Sequence, residues 1–261
     1  MTSLKPDHVD GLAVYRGPAE SDHPTVVLVH GSMDRAAAFR KAARLVRDLD
    51  ITLYDRRGYG RSVHAGTVDT IEGLVDDVLT VVGDRPSVVI GHSLGGVIAL
   101  SAAQRAPGRV LAVGAFEAPM AWRPWWPRTS AGGAAREAAD SEGPEAAAEQ
   151  FMRRLVGDAR WEDLPEGTRR DRRSEGRALL ADLKAMQSGP VPFDGSRIAV
   201  PVVAGYGTAT SERHRRAAGE LAADVAIGEL ITIEGAPHNA HYTHPADFAE
   251  FIRRVVGQVP E

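Results

Sequence analysis

Short apolar runs alternate with longer amphipathic stretches along most of the chain. The apolar runs are rich in Val, Ile and Leu, as is typical of buried strands. They predict strands at Leu12–Tyr15, Thr25–Val29, Ile51–Tyr54, Ser87–Ile90, Leu111–Phe116, Val200–Ala204 and Leu230–Ile233. The stretches between them have helical apolar spacing and predict helices at Arg35–Asp48, Thr70–Val82, Leu94–Arg105, Glu212–Ala223 and Pro245–Val256. Such alternation is typical of a parallel sheet whose strands are joined by helical crossovers.

The pattern changes between Pro119 and Pro190, where no strand is predicted and Gly and Pro punctuate Ala-, Arg- and Glu-rich segments. We therefore predict a core domain formed by residues 1–118 and 191–261, interrupted by a helical cap formed by residues 119–190. The Arg-rich run within this cap is interleaved with Asp171 and Glu175, which favours a solvated helix face over an anion site. All four tryptophans of the chain fall inside the cap: Trp122, Trp125, Trp126 and Trp161.

Composition excludes several classes of chemistry. The 261 residues include no cysteine, which removes thiol nucleophiles, iron–sulfur clusters and Cys-ligated zinc. With 31 basic and 35 acidic residues, the net charge of −4 gives no field that would attract nucleic acid. No apolar run reaches the length of about 18 residues that a membrane span needs, and the first residues lack the apolar core of a signal peptide. The sequence therefore predicts a soluble, cytoplasmic protein with small-molecule partners and an oxygen nucleophile.

One segment combines a nucleophile motif with the structural context that the motif requires. Gly91-His92-Ser93-Leu94-Gly95 follows an apolar strand and precedes a predicted helix. A sharp turn between strand and helix exposes the serine hydroxyl, and the flanking glycines leave room for neighbouring backbone. The start of the helix directs free N–H groups at developing negative charge. Ser93 is therefore the candidate nucleophile.

A tetrahedral intermediate of acyl transfer needs two N–H donors near its oxyanion. The first predicted donor is the backbone N–H of Leu94. The second should come from the loop after the strand Thr25–Val29, where either Ser32 or Met33 can donate. In the same loop Gly31 would allow a close approach, and His30 is interpreted as a structural side chain.

His238 is the candidate base, because it follows the last predicted strand and a Gly-Ala-Pro turn, at the sheet edge where Ser93 also belongs. His241 and His244 repeat a three-residue spacing that metal ligands can have, but the segment is a transition from loop to helix without a regular helical face. We predict no metal and no cofactor.

Four motifs together resemble the α/β-hydrolases, in particular the compact serine esterases, from about Gly11 to the C-terminus. They occur in the family's order: His30-Gly31, Asp55–Ser62, the elbow around Ser93, and Gly235–His238. The resemblance implies a mostly parallel, eight-stranded sheet flanked by helices, with the cap inserted after strand six. It also implies that Asp55–Ser62 is a structural turn, since Val63 stands where a dinucleotide-binding loop would have its third glycine.

The acid of the triad departs from the commoner family pattern. Most relatives carry it after strand seven, where this chain has Thr210, and a hydroxyl cannot stabilise an imidazolium as a carboxylate does. Members similar to haloalkane dehalogenases place the acid after strand six, and that strand here ends in Glu117. We therefore predict Glu117 as the acid, with Glu212 as the main alternative, followed by Asp194 or another cap residue.

These residues predict a serine hydrolase that cleaves a carboxylic ester or a related acyl compound, with water releasing the acyl-enzyme. Serine in the elbow argues against dehalogenase and epoxide hydrolase activity, which relies on an aspartate nucleophile. Hydrolysis of a C–C bond, a lactone or a thioester and a cofactor-free perhydrolase activity are the alternatives within the fold. A non-catalytic small-molecule receptor is the alternative from another class. The candidate pocket residues are His92, Met120, Trp122, Trp125 and Trp126.

Overall fold

A single sheet organises the chain in the computed structural model, which describes residues 5–17, 24–127, 131–187 and 189–259. Within these residues eight strands follow the order β1-β2-β4-β3-β5-β6-β7-β8. Their bounds are β1 (Asp7–Val9), β2 (Leu12–Arg16), β3 (Thr25–Val29), β4 (Ile51–Tyr54), β5 (Ser87–His92), β6 (Val110–Phe116), β7 (Val202–Gly207) and β8 (Gly228–Ile233). β2 pairs antiparallel with β1 and β4, whereas β3 to β8 form parallel pairs. The predicted fold class, with a mostly parallel eight-stranded sheet, is confirmed.

Helices cover both faces of this sheet. Successive residues of a strand point to opposite faces, so Val27 and Val89 pack in one apolar cluster with helices α2 and α3, and Val26 and Val88 pack in another with α1 and α11. The described α-helices are α1 (Arg40–Leu45), α2 (Ile71–Val82), α3 (Leu94–Arg105), α4 (Ala131–Glu142), α5 (Pro144–Val156), α6 (Asp158–Glu162), α7 (Glu166–Arg173), α8 (Gly176–Ala185), α9 (Glu212–Asp224), α10 (Ala240–Thr243) and α11 (Pro245–Val256). None of them combines the length and the apolar composition needed to cross a bilayer.

Several elements differ from the sequence prediction, most by one or two residues at an end. The predicted helix Arg35–Asp48 is a 3-10 helix, Ala36–Phe39, followed by the short α1. The Asp55 carboxylate accepts the N–H of Ala36 at 2.9 Å and so holds the start of the 3-10 helix. β7 begins at Val202 rather than at Val200, because Pro201 has no N–H to donate to a sheet. β1 was not predicted from the apolar pattern.

The segment between β6 and β7 contains, among its described residues, the five helices α4 to α8. They surround an apolar cluster that includes Met152, Trp161 and Leu179, and Met33 from the loop after β3 joins this cluster. The expectation of a solvated face is wrong for Glu175, whose side chain is only 1% exposed because it accepts hydrogen bonds from Arg35 at 2.7 Å and from the N–H of Gly60 at 2.8 Å.

Candidate active site

Ser93 lies between β5 and α3 in a backbone conformation that non-glycine residues rarely adopt, with φ 53° and ψ −125°. The turn leaves no room for neighbouring side chains. A Cβ on Gly91 would lie 2.0 Å from the carbonyl oxygen of Gly95, and a Cβ on Gly95 would lie 2.1 Å from that of Val29. The Ser93 N–H also donates to the carbonyl of Phe116 at 2.9 Å, so the elbow is tied to the end of β6. A strained strand-to-helix turn of this kind suits Ser93 as the candidate nucleophile.

Glu117 and His238 form a direct pair beside the elbow. The Nδ1 of His238 lies 2.5 Å from Glu117 Oε2, and the Glu117 side chain is fully buried. Burial by itself would raise the pKa of Glu117, but the hydrogen bond from His238 and the charge on that ring outweigh burial and hold the pKa below its usual value. In the neutral ring, an Nδ1–H that donates to this carboxylate leaves on Nε2 a lone pair that can accept a proton.

His92, the last residue of β5, connects this strand to the segment that carries His238. Its Nε2 lies 2.8 Å from the carbonyl oxygen of His238, and the two rings are 4.6 Å apart. A carbonyl can only accept, so Nε2–H is the donor. Burial, and next the nearby His241 and His238 rings, lower the pKa of His92 well below its usual value, which keeps the ring neutral. The residue before Ser93 therefore fixes the loop that carries His238.

Residues 31–33, here called the donor loop, lie against Ser93. A Cβ on Gly31 would be 3.0 Å from the Cβ of Ser93. The N–H of Arg56 donates to His30 Nε2 at 2.8 Å, and burial lowers the pKa of His30 to about 4, so the ring is neutral and its Nδ1–H donates to the Gly31 carbonyl at 2.7 Å. His30 therefore has the structural contacts expected of it. On the other side of Ser93, Leu94 is the first residue of α3, where N–H groups lack helical partners.

The alternative acids lie in other surroundings. The Glu212 side chain is 78% exposed and pairs with Arg215 at 2.8 Å. Asp194 accepts hydrogen bonds from the N–H and the hydroxyl of Ser196 at 3.1 and 2.7 Å. Among the three carboxylates considered from the sequence, Glu117 is the one paired with His238.

Of the candidate pocket residues, Trp125 and Trp126 contact side chains of α9. Met120 is only 1% exposed. Trp122 packs edge-on against Phe193, with ring centroids 5.3 Å apart, and Trp125 donates its indole N–H to Glu220 at 3.1 Å. Trp126 meets the His214 ring at 5.4 Å, and is thereby the tryptophan linked by direct ring contacts to His238. A pocket role for these residues stays a prediction.

Two polar residues around the acid had no role in the sequence prediction. Thr210 donates its hydroxyl to Glu117 Oε2 at 2.7 Å, and the N–H of Gly207 donates to Oε1 at 2.9 Å. His214 stacks on His238 at 4.6 Å, and burial, with the nearby His238 charge second, lowers the pKa of His214 to about 3. The position of Thr210, where most relatives have the acid, was the available signal; His214 had none.

The described residues include two groups of side chains that could ligate a metal ion. In each group the possible ligand atoms lie within 4.8 Å of one another: Asp34, His92 and His241 form the first group, and Glu117, His214 and His238 the second. In each group the carboxylate is already bonded to an imidazole. In the first, His241 Nε2 lies 2.9 Å from Asp34 Oδ2. Both groups are thus accounted for as acid–imidazole pairs.

The regular spacing of His238, His241 and His244 does not bring the three rings to one point. His238 and His241 bond different carboxylates, and the Nδ1 of His244 lies 2.9 Å from the hydroxyl of Thr243.

A surface cavity of about 360 Å³ lies beside the Asp55–Ser62 turn rather than at the elbow. Its lining includes Arg35, Arg40 and Arg61 but none of Ser93, Glu117 and His238. It therefore does not define a substrate site for the candidate nucleophile.

The parallel sheet, the left-handed serine turn after β5 and the histidine after β8 together define the α/β-hydrolase fold. Residues 26–251 match the model of the alpha/beta hydrolase family, and the chain belongs to that family. The family and fold that the motifs predicted are confirmed.

Named relatives share parts of the sequence. The uncharacterized hydrolase YugF of Bacillus subtilis is 36% identical over 105 residues, 38% of each chain. The lipase LipV of Mycobacterium tuberculosis is 32% identical over 99 residues, which are 37% of this chain and 36% of that protein. The matches thus span well under half of these relatives' lengths.

Solved structures extend the likeness over nearly the whole chain. A thermophilic esterase from Thermogutta terrifontis superimposes with a TM-score of 0.76 and 22% identity, over 95% of this chain and 93% of that one. The enol-lactonase from Burkholderia xenovorans gives a TM-score of 0.76 and 20% identity, over 97% and 99%. At these identities the likeness is one of fold.

Proposed function

We propose that the protein is a serine hydrolase that cleaves carboxylic esters through an acyl-enzyme intermediate, with Ser93 as nucleophile, His238 as base and Glu117 as acid. One observation carries the proposal: a buried carboxylate accepts the Nδ1–H of His238 beside a serine in the left-handed elbow. The names esterase and lipase among the similar proteins favour an ester over other acyl compounds.

The reaction begins when His238 Nε2 takes the hydroxyl proton of Ser93 and the Oγ attacks the ester carbonyl carbon. The resulting oxyanion accepts hydrogen bonds from the N–H of Leu94 and from that of Ser32 or Met33. When the intermediate collapses, the imidazolium donates its proton to the departing alcohol. His238 then takes a proton from water, whose oxygen attacks the acyl-enzyme, and Ser93 recovers the proton as the acid product leaves. Glu117 stays ionised and holds the ring in the tautomer that both halves need.

We further propose that residues 119–190 form a cap over this site, on a core of residues 1–118 and 191–261. The aromatic side chains at the start of the cap, Trp122, Trp125 and Trp126, with Met120 and His92, would bound the acyl or alcohol part of a small-molecule substrate. Support comes from the contact of Trp126 with His214, which itself stacks on His238.

The test is hydrolysis of p-nitrophenyl esters from acetate to laurate by wild type, Ser93→Ala and a matched control, Ser141→Ala. Ser141 is exposed on α4, and its hydroxyl donates, among the described residues, to the carbonyls of Glu137 and Ala138 on its own helix. Ser93→Ala should lose at least about a thousandfold in kcat/KM, and Ser141→Ala should equal wild type. Retained activity in Ser93→Ala would overturn the nucleophile. Absent turnover of these esters, together with turnover of a lactone or a thioester assayed alongside them, would overturn the ester assignment.

A further inference from the structure

The two carbonyl groups that flank Ser32 in the donor loop each accept a hydrogen bond from an arginine. Arg56 Nη2 donates to the Gly31 carbonyl at 3.3 Å, and Arg172 Nη1 donates to the Met33 carbonyl at 3.4 Å. The Gly31 carbonyl and the Ser32 N–H belong to one planar trans peptide and point in opposite directions. Fixing the Gly31 oxygen therefore fixes the direction in which Ser32 donates.

Both arginines are held by carboxylates of the segment between β6 and β7. Asp182 on α8 accepts two hydrogen bonds from Arg56, at 2.6 and 3.0 Å, and its side chain is 3% exposed. It also accepts the hydroxyl of Tyr59 at 2.7 Å. Glu175, which precedes α8, pairs with Arg172 at 3.2 Å. Burial of a carboxylate is unfavourable unless hydrogen bonds satisfy its oxygens. The folded structure therefore depends on these contacts with the arginines.

Met33 gives a third, independent connection between the same segment and the donor loop. Its backbone is left-handed, with φ 56°, which a non-glycine residue adopts only when its surroundings impose it. Its side chain is 2% exposed and belongs to the apolar cluster that contains Ala147, Met152, Trp161 and Leu179. The helices after β6 thus enclose the Met33 side chain and help to keep the Met33 backbone in its left-handed conformation.

We propose that Asp182 and Glu175 are positioning residues of the oxyanion hole, because through Arg56 and Arg172 they hold the donor loop with its N–H groups directed at the intermediate on Ser93. The inference rests on the proposed function. It assigns the helical segment a part in transition-state stabilisation in addition to covering the site. An N–H that is already oriented acts where charge develops, so its misplacement should lower kcat more than it changes KM.

The experiment compares Arg172→Met with Arg173→Met in the full chain. Both residues lie on α7 and both make ion pairs, but Arg173 bonds Glu149 and Glu166 within the same segment, and among the described residues no hydrogen bond or ion pair joins it to the donor loop. Arg172→Met should lower kcat for a p-nitrophenyl ester about tenfold with KM within about twofold. Arg173→Met should retain the wild-type kcat.

Asp182→Asn and Glu175→Gln complete the series, with circular dichroism and the fraction of Ser93 titrated by a fluorophosphonate as checks on folding. Among folded variants, Asp182→Asn should lower kcat by up to about a hundredfold. A trifluoromethyl ketone, which forms an oxyanion on the serine, should lose affinity in parallel with kcat/KM.

Equal effects of Arg172→Met and Arg173→Met in an active wild-type background would overturn the inference and leave the proposed function intact. A change in KM or in thermal stability alone, with kcat and the affinity for the ketone as in wild type, would also overturn it and assign these contacts to cap attachment. Wild type without Ser93-dependent hydrolysis would overturn the proposed function and the inference with it.

Discussion

Replacing Glu117 with glutamine tests the acid most directly, because the surrounding donors determine how the amide must lie. The Gly207 N–H donates to Oε1 and therefore requires an oxygen at that position. The amide nitrogen would then take the Oε2 position, 2.5 Å from His238 Nδ1. There it can only donate, so the proton of His238 would be forced onto Nε2. A ring with Nε2–H cannot accept the proton of Ser93.

The size of the loss follows from this change of tautomer together with the removal of one buried charge. In the serine protease triad, the corresponding amide replacement lowers kcat by about ten-thousandfold. Each tenfold loss corresponds to about 1.4 kcal/mol of transition-state stabilisation. We expect Glu117→Gln to lower kcat/KM by about a thousand- to ten-thousandfold, which is about 4 to 5.5 kcal/mol.

The assay is p-nitrophenyl ester hydrolysis by wild type, Glu117→Gln and Glu212→Gln, with thermal unfolding measured for each. Glu212 is the matched control, since its exposed carboxylate pairs only with Arg215 among its described contacts. Glu117→Gln should remain folded, because the amide has the shape of the carboxyl group, while Glu212→Gln should keep wild-type activity. A folded Glu117→Gln variant with more than about a tenth of wild-type kcat/KM would refute the assignment, because the wrong tautomer cannot support that rate.

Three further predictions concern the packing around this site. Gly91→Ala places a Cβ 2.0 Å from backbone and should cost more than about 4 kcal/mol or prevent folding, whereas Gly108→Ala, with open space around its Cβ, should change the unfolding free energy by less than about 1 kcal/mol in urea denaturation. His92→Ala removes the donor to the His238 carbonyl and should lower kcat about tenfold, while His92→Gln should restore part of that loss; equal rates in both variants would contradict the anchoring role. Burial lowers the pKa of His30 to about 4, so below pH about 6.5 the unfolded chain binds a proton that the folded chain does not. The contribution of His30 to the unfolding free energy should therefore fall by about 1.4 kcal/mol for each unit by which the pH is lowered from about 6.5 to about 4. Urea denaturation that showed no decline in stability over this range would contradict the prediction.

The sequence predicts β3 to β7 well because these strands are buried on both faces and read as continuous apolar runs. The observed bounds of β3, α3 and α11 are those predicted. β1 was missed because three residues, two of them exposed, carry almost no periodicity. The Asp10-Gly11 pair was the usable signal, since φ is positive at both residues, as a two-residue hairpin turn requires.

The site residues also fall into those that local sequence predicts and those that it does not. Ser93 and His238 lie in local motifs whose neighbouring glycines and proline indicate the backbone geometry. Contacts between distant segments have no local sequence pattern that predicts them. His92, for example, donates to the carbonyl of His238, which is 146 residues further along the chain. The burial of Glu175 was missed for a related reason, because an alternating pattern of Arg and Glu is the same in sequence whether a carboxylate faces water or the arginines of a neighbouring loop.

The position of the acid shows why a place in the sequence is a weaker guide than a place in space. The Glu117 N–H donates to the Gly205 carbonyl on β7, and its carboxylate reaches the end of that strand, where Thr210 Oγ1 lies 2.7 Å from Oε2. A carboxylate at residue 210 and one at residue 117 would therefore occupy nearly the same region beside His238. Two like charges there would raise one pKa strongly. The neutral threonine that breaks the commoner motif, whose hydroxyl donates to Oε2, is therefore compatible with Glu117 as the proposed acid.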